Sequence, residues 1–161
     1  MTTWPLCSDS ITYMNRRLAV RAVILHEETL LCVRLKPSDA AQNNGSFWCV
    51  PGGGLELGES IEEGLQRELI EELGVRPEIG NLMYVQQYKD EQSEYLEFIF
   101  SVTNTEDYLN IDLTKTTHGM VELQEIAFLD PKAVHLLPKF LTERQLSVDM
   151  AARNTNFFNY L

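Results

Sequence analysis

The residues best placed to do chemistry are Glu68, Glu71 and Glu72, which follow a turn of consecutive glycines, Gly52, Gly53 and Gly54. If the segment from Ser60 to Gly74 is a helix, about 100° per residue puts the three carboxylates within an arc of roughly 100°, beside an apolar stripe. Like charges three and four residues apart repel by a few tenths of a kcal/mol. The C-terminal half of a helix also disfavours negative charge. The arrangement is therefore costly for stability alone. A hard divalent cation, Mg²⁺ or Mn²⁺, would reverse the sign, because it takes carboxylate oxygens and keeps positions for water and phosphate. The glycine turn supplies the complement. Without Cβ atoms its backbone can approach a ligand closely, with a carbonyl as a further oxygen ligand and N–H groups for phosphate oxygens.

The element that must position these acids has clear ends. Ser60 followed by Glu63 forms a capping box, and Gly74 stands where a helix closes in the left-handed conformation. Between them Ile61, Leu65, Leu69 and Leu73 recur every fourth residue and make one apolar face. Arg67 has Glu63 four residues before it and Glu71 four after, so it can hold an acid in place. Taken separately, a run of glutamates is ordinarily a solvated face and a run of glycines an ordinary loop. Together they give Gly53, five residues, Glu59, seven residues, then Arg67-Glu68-Leu69-Ile70-Glu71-Glu72-Leu73-Gly74-Val75. At ordinary residue frequencies such a set of identities arises by chance on the order of once in 10⁸ windows.

That string resembles the Nudix box, G-x5-E-x7-R-E-U-x-E-E-x-G-U with U aliphatic, at every position from Gly53 to Val75. Residues 17 to 52 and 82 to 130 resemble the family more loosely. The resemblance implies a metal-dependent hydrolase that cleaves a nucleoside diphosphate linked to another group by water attack at phosphorus. It implies Glu68, Glu71 and Glu72 as metal ligands beside the Gly53 carbonyl, and Gly52 and Gly54 as part of the substrate turn. Arg67 would orient Glu68 or Glu71, and Glu59 would secure the loop. Glu68, or a glutamate of a later strand, would be the general base. The family often places a further acid in that strand, for which Glu122 is the first choice and Glu125 the second. It also often places a basic residue at the end of the second strand of the first hairpin, which makes Arg34 the candidate for substrate phosphates. An alternative reading is a Nudix-like module that senses a nucleotide without cleaving it, but such modules tend to lose box acids.

The remaining segments read as scaffolding. From Arg17, L-A-V-R-A-V-I-L, H-E-E-T and L-L-C-V-R-L suggest a hairpin, with Arg21 facing solvent or an acid. Lys36 to Ser46 is a polar loop, and F-W-C-V-P is a short strand with Trp48 in the core. Leu82 to Tyr88 and Tyr95 to Val102 read as strands around a K-D-E-Q-S turn. Thr103 to Met120 is a long polar connection containing a surface His118, and Val121 to Leu129 alternates as a strand. Asp130-Pro131 predicts a helix start, restarted by Pro138, with a stripe of Leu137, Phe140, Leu141, Arg144 and Val148 running to about Met150. The aromatics of the tail are expected to cover core or the partner of a homodimer. Strands around an acid-bearing helix followed by a C-terminal helix predict an α/β protein, a three-layer α/β/α sandwich with a mixed sheet. The Nudix resemblance implies the same fold.

With 161 residues, one domain is expected over 1–161, its core at about 17–152. A charged share of 23% and an apolar share of 44% are those of a soluble globular protein. Cys7, Cys32 and Cys49 have neither disulfide nor zinc spacing, which makes reduced cytoplasm the simplest home. A net charge of −11 without a basic cluster argues against long nucleic acid as a partner, though not against a small nucleotide that brings its own metal. The first residues, M-T-T-W-P-L-C-S-D-S, show no signal-peptide pattern, and no apolar run approaches the ~20 residues needed to cross a bilayer, so no membrane partner is expected.

Overall fold

The computed structural model describes residues 15–37, 46–90 and 93–161. The arm at residues 1 to 14, most of the loop from Lys36 to Ser46, and two residues of the K-D-E-Q-S turn lie outside that set. The strands are β1 (Asn15–Val23), β2 (Leu25–His26), β3 (Thr29–Leu35), β4 (Trp48–Cys49), β5 (Ile79–Lys89), β6 (Ser93–Val102), β7 (Leu123–Leu129), β8 (Leu136–Leu137) and β9 (Asn156–Tyr160). The helices are α1 (Ile61–Leu73), α2 (Gly119–Glu122) and α3 (Leu146–Ala152). One sheet runs β1-β6-β5-β9, and the other β2-β3-β4-β8 with β7 also paired to β3. Both are mixed: β1 runs parallel to β6 and β4 parallel to β8, while β5–β6 and β3–β7 are antiparallel.

The central strands read as continuous apolar runs because they are covered on both faces. Val20 and Ala22 of β1, Leu31 and Val33 of β3 and Phe100 of β6 pack with Leu65, Leu69 and Leu73 of α1. Their sequence neighbours Val23, Leu30, Cys32 and Ile99 pack on the opposite face against Leu136, Phe140, Leu141 and Leu146. This is the α/β arrangement expected from the sequence, with α1 on one side of the sheets and the segment containing α3 on the other. Burying each α1 leucine contributes about 1.5–3 kcal/mol before entropy is counted.

Four local expectations are corrected. The first hairpin survives only as β2 with β3, because β1 leaves it to pair along its whole length with β6. Two runs buried on both faces satisfy either arrangement, so the local turn does not choose the partner. The single mixed sheet is two. The strand expected from Val121 begins at Leu123, which leaves Val121 and Glu122 in α2. No helix follows Asp130: its carboxylate accepts from Lys132 N–H at 2.9 Å and its carbonyl from Ala133 N–H at 3.0 Å, a single closed turn. Pro138 lacks an N–H and pushes Leu137 out of helical geometry, so Leu136–Leu137 joins β4 as a strand instead. Beyond Pro138 the chain makes one short 3-10 turn, Lys139–Thr142, which buries Phe140 and Leu141, and the only α-helical stretch of that region is Leu146–Ala152, with Val148 on its exposed side. The tail aromatics form β9 beside β5, with Phe158 stacked on Phe140 at 4.1 Å. Among the described residues no helix is long and apolar enough to cross a membrane.

Candidate active site

The glycine turn is laid along β1. The carbonyls of Pro51 and Gly53 accept from the N–H groups of Ala22 and Val20 at 2.9 Å, and Leu55 N–H donates to the Leu18 carbonyl at 2.9 Å. Gly52 adopts φ +123°, and a Cβ there would lie 2.3 Å from the Val20 carbonyl oxygen. The fit leaves no room for a side chain. At Gly53 a Cβ would come 2.5 Å from a Glu68 carboxylate oxygen, so glycine is what lets this acid lie against the turn.

Helix α1 delivers the acids as its spacing requires. Both halves of the capping box form: Ser60 N–H donates to Glu63 at 2.8 Å and Glu63 N–H to Ser60 Oγ at 3.2 Å. Gly74 closes the helix at φ 73°. Glu72 is 3% exposed, and its carboxylate accepts from Gly52 N–H at 3.0 Å. Burial pushes its pKa up to about 7, and Glu68 and Glu122 add to the effect, against the Gly52 hydrogen bond and the charge of Arg21. Burial also raises Glu68, with Arg67 opposing and Glu71 reinforcing.

Arg67 ties the acids to the loop. Its guanidinium donates to both oxygens of Glu59 at 2.8 and 3.1 Å, to Glu68 at 2.8 Å, to Glu71 at 3.2 Å and to the Gly54 carbonyl at 2.9 Å. Hydrogen bonding to Glu59 is the largest influence holding Arg67 above its ordinary pKa. Glu63 is committed to the cap, so the acids in this grip are Glu59, Glu68 and Glu71. Glu71 also faces His118 Nδ1 at 3.1 Å, and its main-chain carbonyl accepts from His118 N–H at 2.9 Å. The long connection after β6 thus docks on the end of α1, and His118 stands beside a box acid.

Of the residues singled out from the sequence, Gly52, Gly53, Gly54, Arg67, Glu68, Glu71 and Glu72 come together around the turn. Glu122 lies at the end of α2 with a half-exposed side chain, close enough to Glu72 to raise its pKa. Arg34 is elsewhere engaged: it is paired with Glu125 across β3 and β7 and sits over the Trp48 ring at 4.7 Å. Among the described residues, no three His, Cys, Asp or Glu side chains stand close enough as a group to hold an ion in these rotamers. Glu68 and Glu71 lean on Arg67 and Glu72 on Gly52.

Beside the turn opens a cavity of about 600 Å³, lined among others by Arg21, Cys49, Gln86, Tyr88, Glu97 and Phe140. Its polar wall is a buried cluster. Glu97 is 4% exposed and accepts from Gln86 Nε2, from Tyr88 Oη at 3.4 Å and from Arg21 Nε at 3.5 Å. Burial opposes the charge of Arg21, but Glu97 together with Cys49, Glu72 and Tyr88 outweighs it and raises the pKa. The sequence alone places Arg21 against solvent or an acid, and does not single out Glu97 as that acid. The available signal was one charge of each sign, Arg21 and Glu97, inside the apolar stretches L-A-V-R-A-V of β1 and Y-L-E-F-I-F of β6.

The NUDIX domain model matches residues 15–148, most of the chain. This protein belongs to the Nudix hydrolase family. It is similar to the nucleoside triphosphatase NudI of Enterobacter sp. (strain 638), 29% identical over 130 residues, covering 70% of this chain and 89% of that one. In fold it is similar to the MutT protein of Methanosarcina mazei Go1, with TM-score 0.66 and 20% identity, covering 90% of this chain and 100% of that one. The NUDIX hydrolase from Nitrosomonas europaea is similar at 25% identity and TM-score 0.63, over 86% and 90% of the respective chains. The acids, the arginine and the glycine turn described above are this Nudix chain's own box.

Proposed function

We propose that this Nudix hydrolase cleaves the diphosphate of a small nucleoside derivative, with Mg²⁺ or Mn²⁺ held by Glu68, Glu71, Glu72 and the Gly53 carbonyl. The donor set suits a hard cation, since every ligand is oxygen. Glu72 points the same way: it is a carboxylate buried among other acids, hydrogen-bonded to one neutral N–H and offset only in part by the charge of Arg21. A carboxylate so placed is costly to ionise unless a positive charge joins it. When bound, the metal supplies neutralisation of the diphosphate charge and acidification of a water. The chain's own residues do the rest. Arg67 holds Glu68, Glu71 and the Gly54 carbonyl in one frame, and Gly52 holds Glu72. Glu68, with its raised proton affinity, or Glu122 accepts the proton of the attacking water. The cavity beside the turn takes the part of the substrate beyond the phosphates. Phosphoryl chemistry needs chiefly positioning and electrostatics, so no nucleophilic side chain is called for.

The observation that carries this reading is the convergence of Glu68 and Glu72 on the glycine turn. The kinship to a protein named nucleoside triphosphatase supports a nucleotide substrate. The deciding experiment incubates the protein with a panel of nucleoside triphosphates, dinucleoside polyphosphates, nucleotide sugars and ADP-ribose, with and without Mg²⁺ or Mn²⁺. Products are read by mass. Metal-dependent release of a phosphate ester is expected. Tight nucleotide binding by calorimetry with no product would instead establish a sensing module.

A further inference from the structure

The turn and the cavity share a wall that the box does not explain. Arg21 lies on β1 between Val20 and Ala22, whose N–H groups capture the carbonyls of Gly53 and Pro51. The carbonyl between those two, that of Gly52, is captured by the Arg21 guanidinium. Consecutive carbonyls of the turn are therefore held by consecutive residues of one strand, the middle one through a side chain.

That middle peptide is the one least able to hold itself. The Gly52–Gly53 unit has glycine on both sides, so no Cβ restricts rotation of its plane. The C=O and N–H of a trans peptide point to opposite sides. Capturing the Gly52 carbonyl therefore also fixes the direction of the Gly53 N–H. The preceding peptide unit carries the Gly52 N–H on which Glu72 rests at 3.0 Å. Arg21 is itself clamped, because its Nε faces buried Glu97, which Gln86 and Tyr88 also hold. A planar fork that serves a carboxylate with one N–H and a carbonyl with another is geometry an ammonium group cannot reproduce.

We propose that Arg21 is a positioning residue for the hydrolysis: clamped by Glu97, it locks the Gly52–Gly53 peptide in the plane that sets Glu72 and the Gly53 carbonyl, and joins the cavity wall to the turn. This rests on the turn being the metal and diphosphate site. Two rivals give different readouts. If Arg21 contacts substrate from the cavity wall, its loss raises KM. If the Arg21–Glu97 pair is only structural, its loss lowers Tm and leaves kcat alone.

The test compares wild type with Arg21→Lys and Glu97→Gln, each checked for folding by circular dichroism and thermal melting. For Arg21→Lys the clamp predicts a fall in kcat of about 10- to 100-fold, the scale of a small misplacement at a reacting centre, with KM within about threefold. Two further readouts need no turnover. Mg²⁺ affinity of the substrate-free protein, by titration calorimetry, should weaken, and amide exchange at Gly53 should quicken. Glu97→Gln still offers an oxygen to Arg21 and should move all three quantities the same way by less. Wild-type kcat, Mg²⁺ affinity and Gly53 exchange in a folded Arg21→Lys protein would overturn the clamp. So would a rise in KM at unchanged kcat. If wild type turns over nothing on the panel, the functional reading fails, while the calorimetry and exchange measurements still decide the clamp.

Discussion

Glu72→Gln removes a charge from the most buried acid of the site and keeps its shape and its acceptor for Gly52 N–H. In the metal-free protein the folded state holds this proton to a pKa of about 7, against an ordinary 4.5. At about 1.4 kcal/mol per pH unit, that difference is worth on the order of 3 kcal/mol. The sign follows from proton binding. Below pH 4.5 both states are protonated and the group costs nothing. Between 4.5 and 7 the unfolded chain releases the proton while the folded chain retains it, so stability falls as pH rises, and the full cost persists above 7. Glutamine never carries this cost. With chelator present, Glu72→Gln should melt near wild type at pH 4.5 and roughly 6–12 °C above it at pH 8, using about 2–4 °C per kcal/mol for a domain of this size. Added Mg²⁺ should raise the Tm of wild type more than that of the variant, since a ligand stabilises by its affinity for the folded form. The same substitution should remove Mg²⁺-dependent turnover. Differential scanning fluorimetry across pH, with and without metal, measures all but the last. A pH-independent Tm difference, or a variant less stable than wild type at pH 8, would refute the account of Glu72.

Three further outcomes are expected. Gly52→Ala places a Cβ 2.3 Å from the Val20 carbonyl at a positive φ, so it should cost several kcal/mol, or on the order of 3 as for other strained sites, and a denaturant midpoint near wild type would contradict the fit. Arg67→Lys keeps the charge but cannot hold Glu59, Glu68 and Glu71 at once; kcat should drop on the order of 10-fold or more with little change in fold, read by steady-state kinetics. Asp149 accepts from Tyr84 Oη at 2.5 Å and from Arg144 at 2.7 and 2.9 Å, bonds that overcome burial and hold its pKa below the ordinary value. Stability from this group is present above the usual carboxylate range and lost as pH falls through the depressed value, so Asp149→Asn should cost about 1.5–3 kcal/mol at pH 7 and progressively less below pH 4.

What the sequence determined by itself is what depends on residues close along the chain. The cap at Ser60 and Glu63, the stop at Gly74, the buried face of Leu65, Leu69 and Leu73 and the grouping of Glu68, Glu71 and Glu72 all follow from about 3.6 residues per turn. Helical hydrogen bonds close within a few positions, so the pattern and the structure share one length scale. The glycine turn was legible for a similar reason, since consecutive glycines signal a backbone that must lie close to something, as Gly52 does to Val20 and Gly53 to Glu68. The helix expected after Asp130 failed where this reasoning is weakest: one cap and one apolar stripe suggested it, but Pro138 and the pull of β4 on Leu136–Leu137 prevailed.

Only the tertiary structure decided which strands meet. β1 paired with β6, more than 70 positions away, and left the local hairpin that its turn suggested. That pairing put Arg21 beside Glu97, 76 residues distant, and brought both to the glycine turn. It also showed that Arg34 spends its charge on Glu125 and that His118 stands against Glu71. The physical reason is common to all of these: a strand buried on both faces has the same apolar composition whichever neighbour it takes. Its partner, and the side chains that arrive with it, are chosen by packing the whole chain.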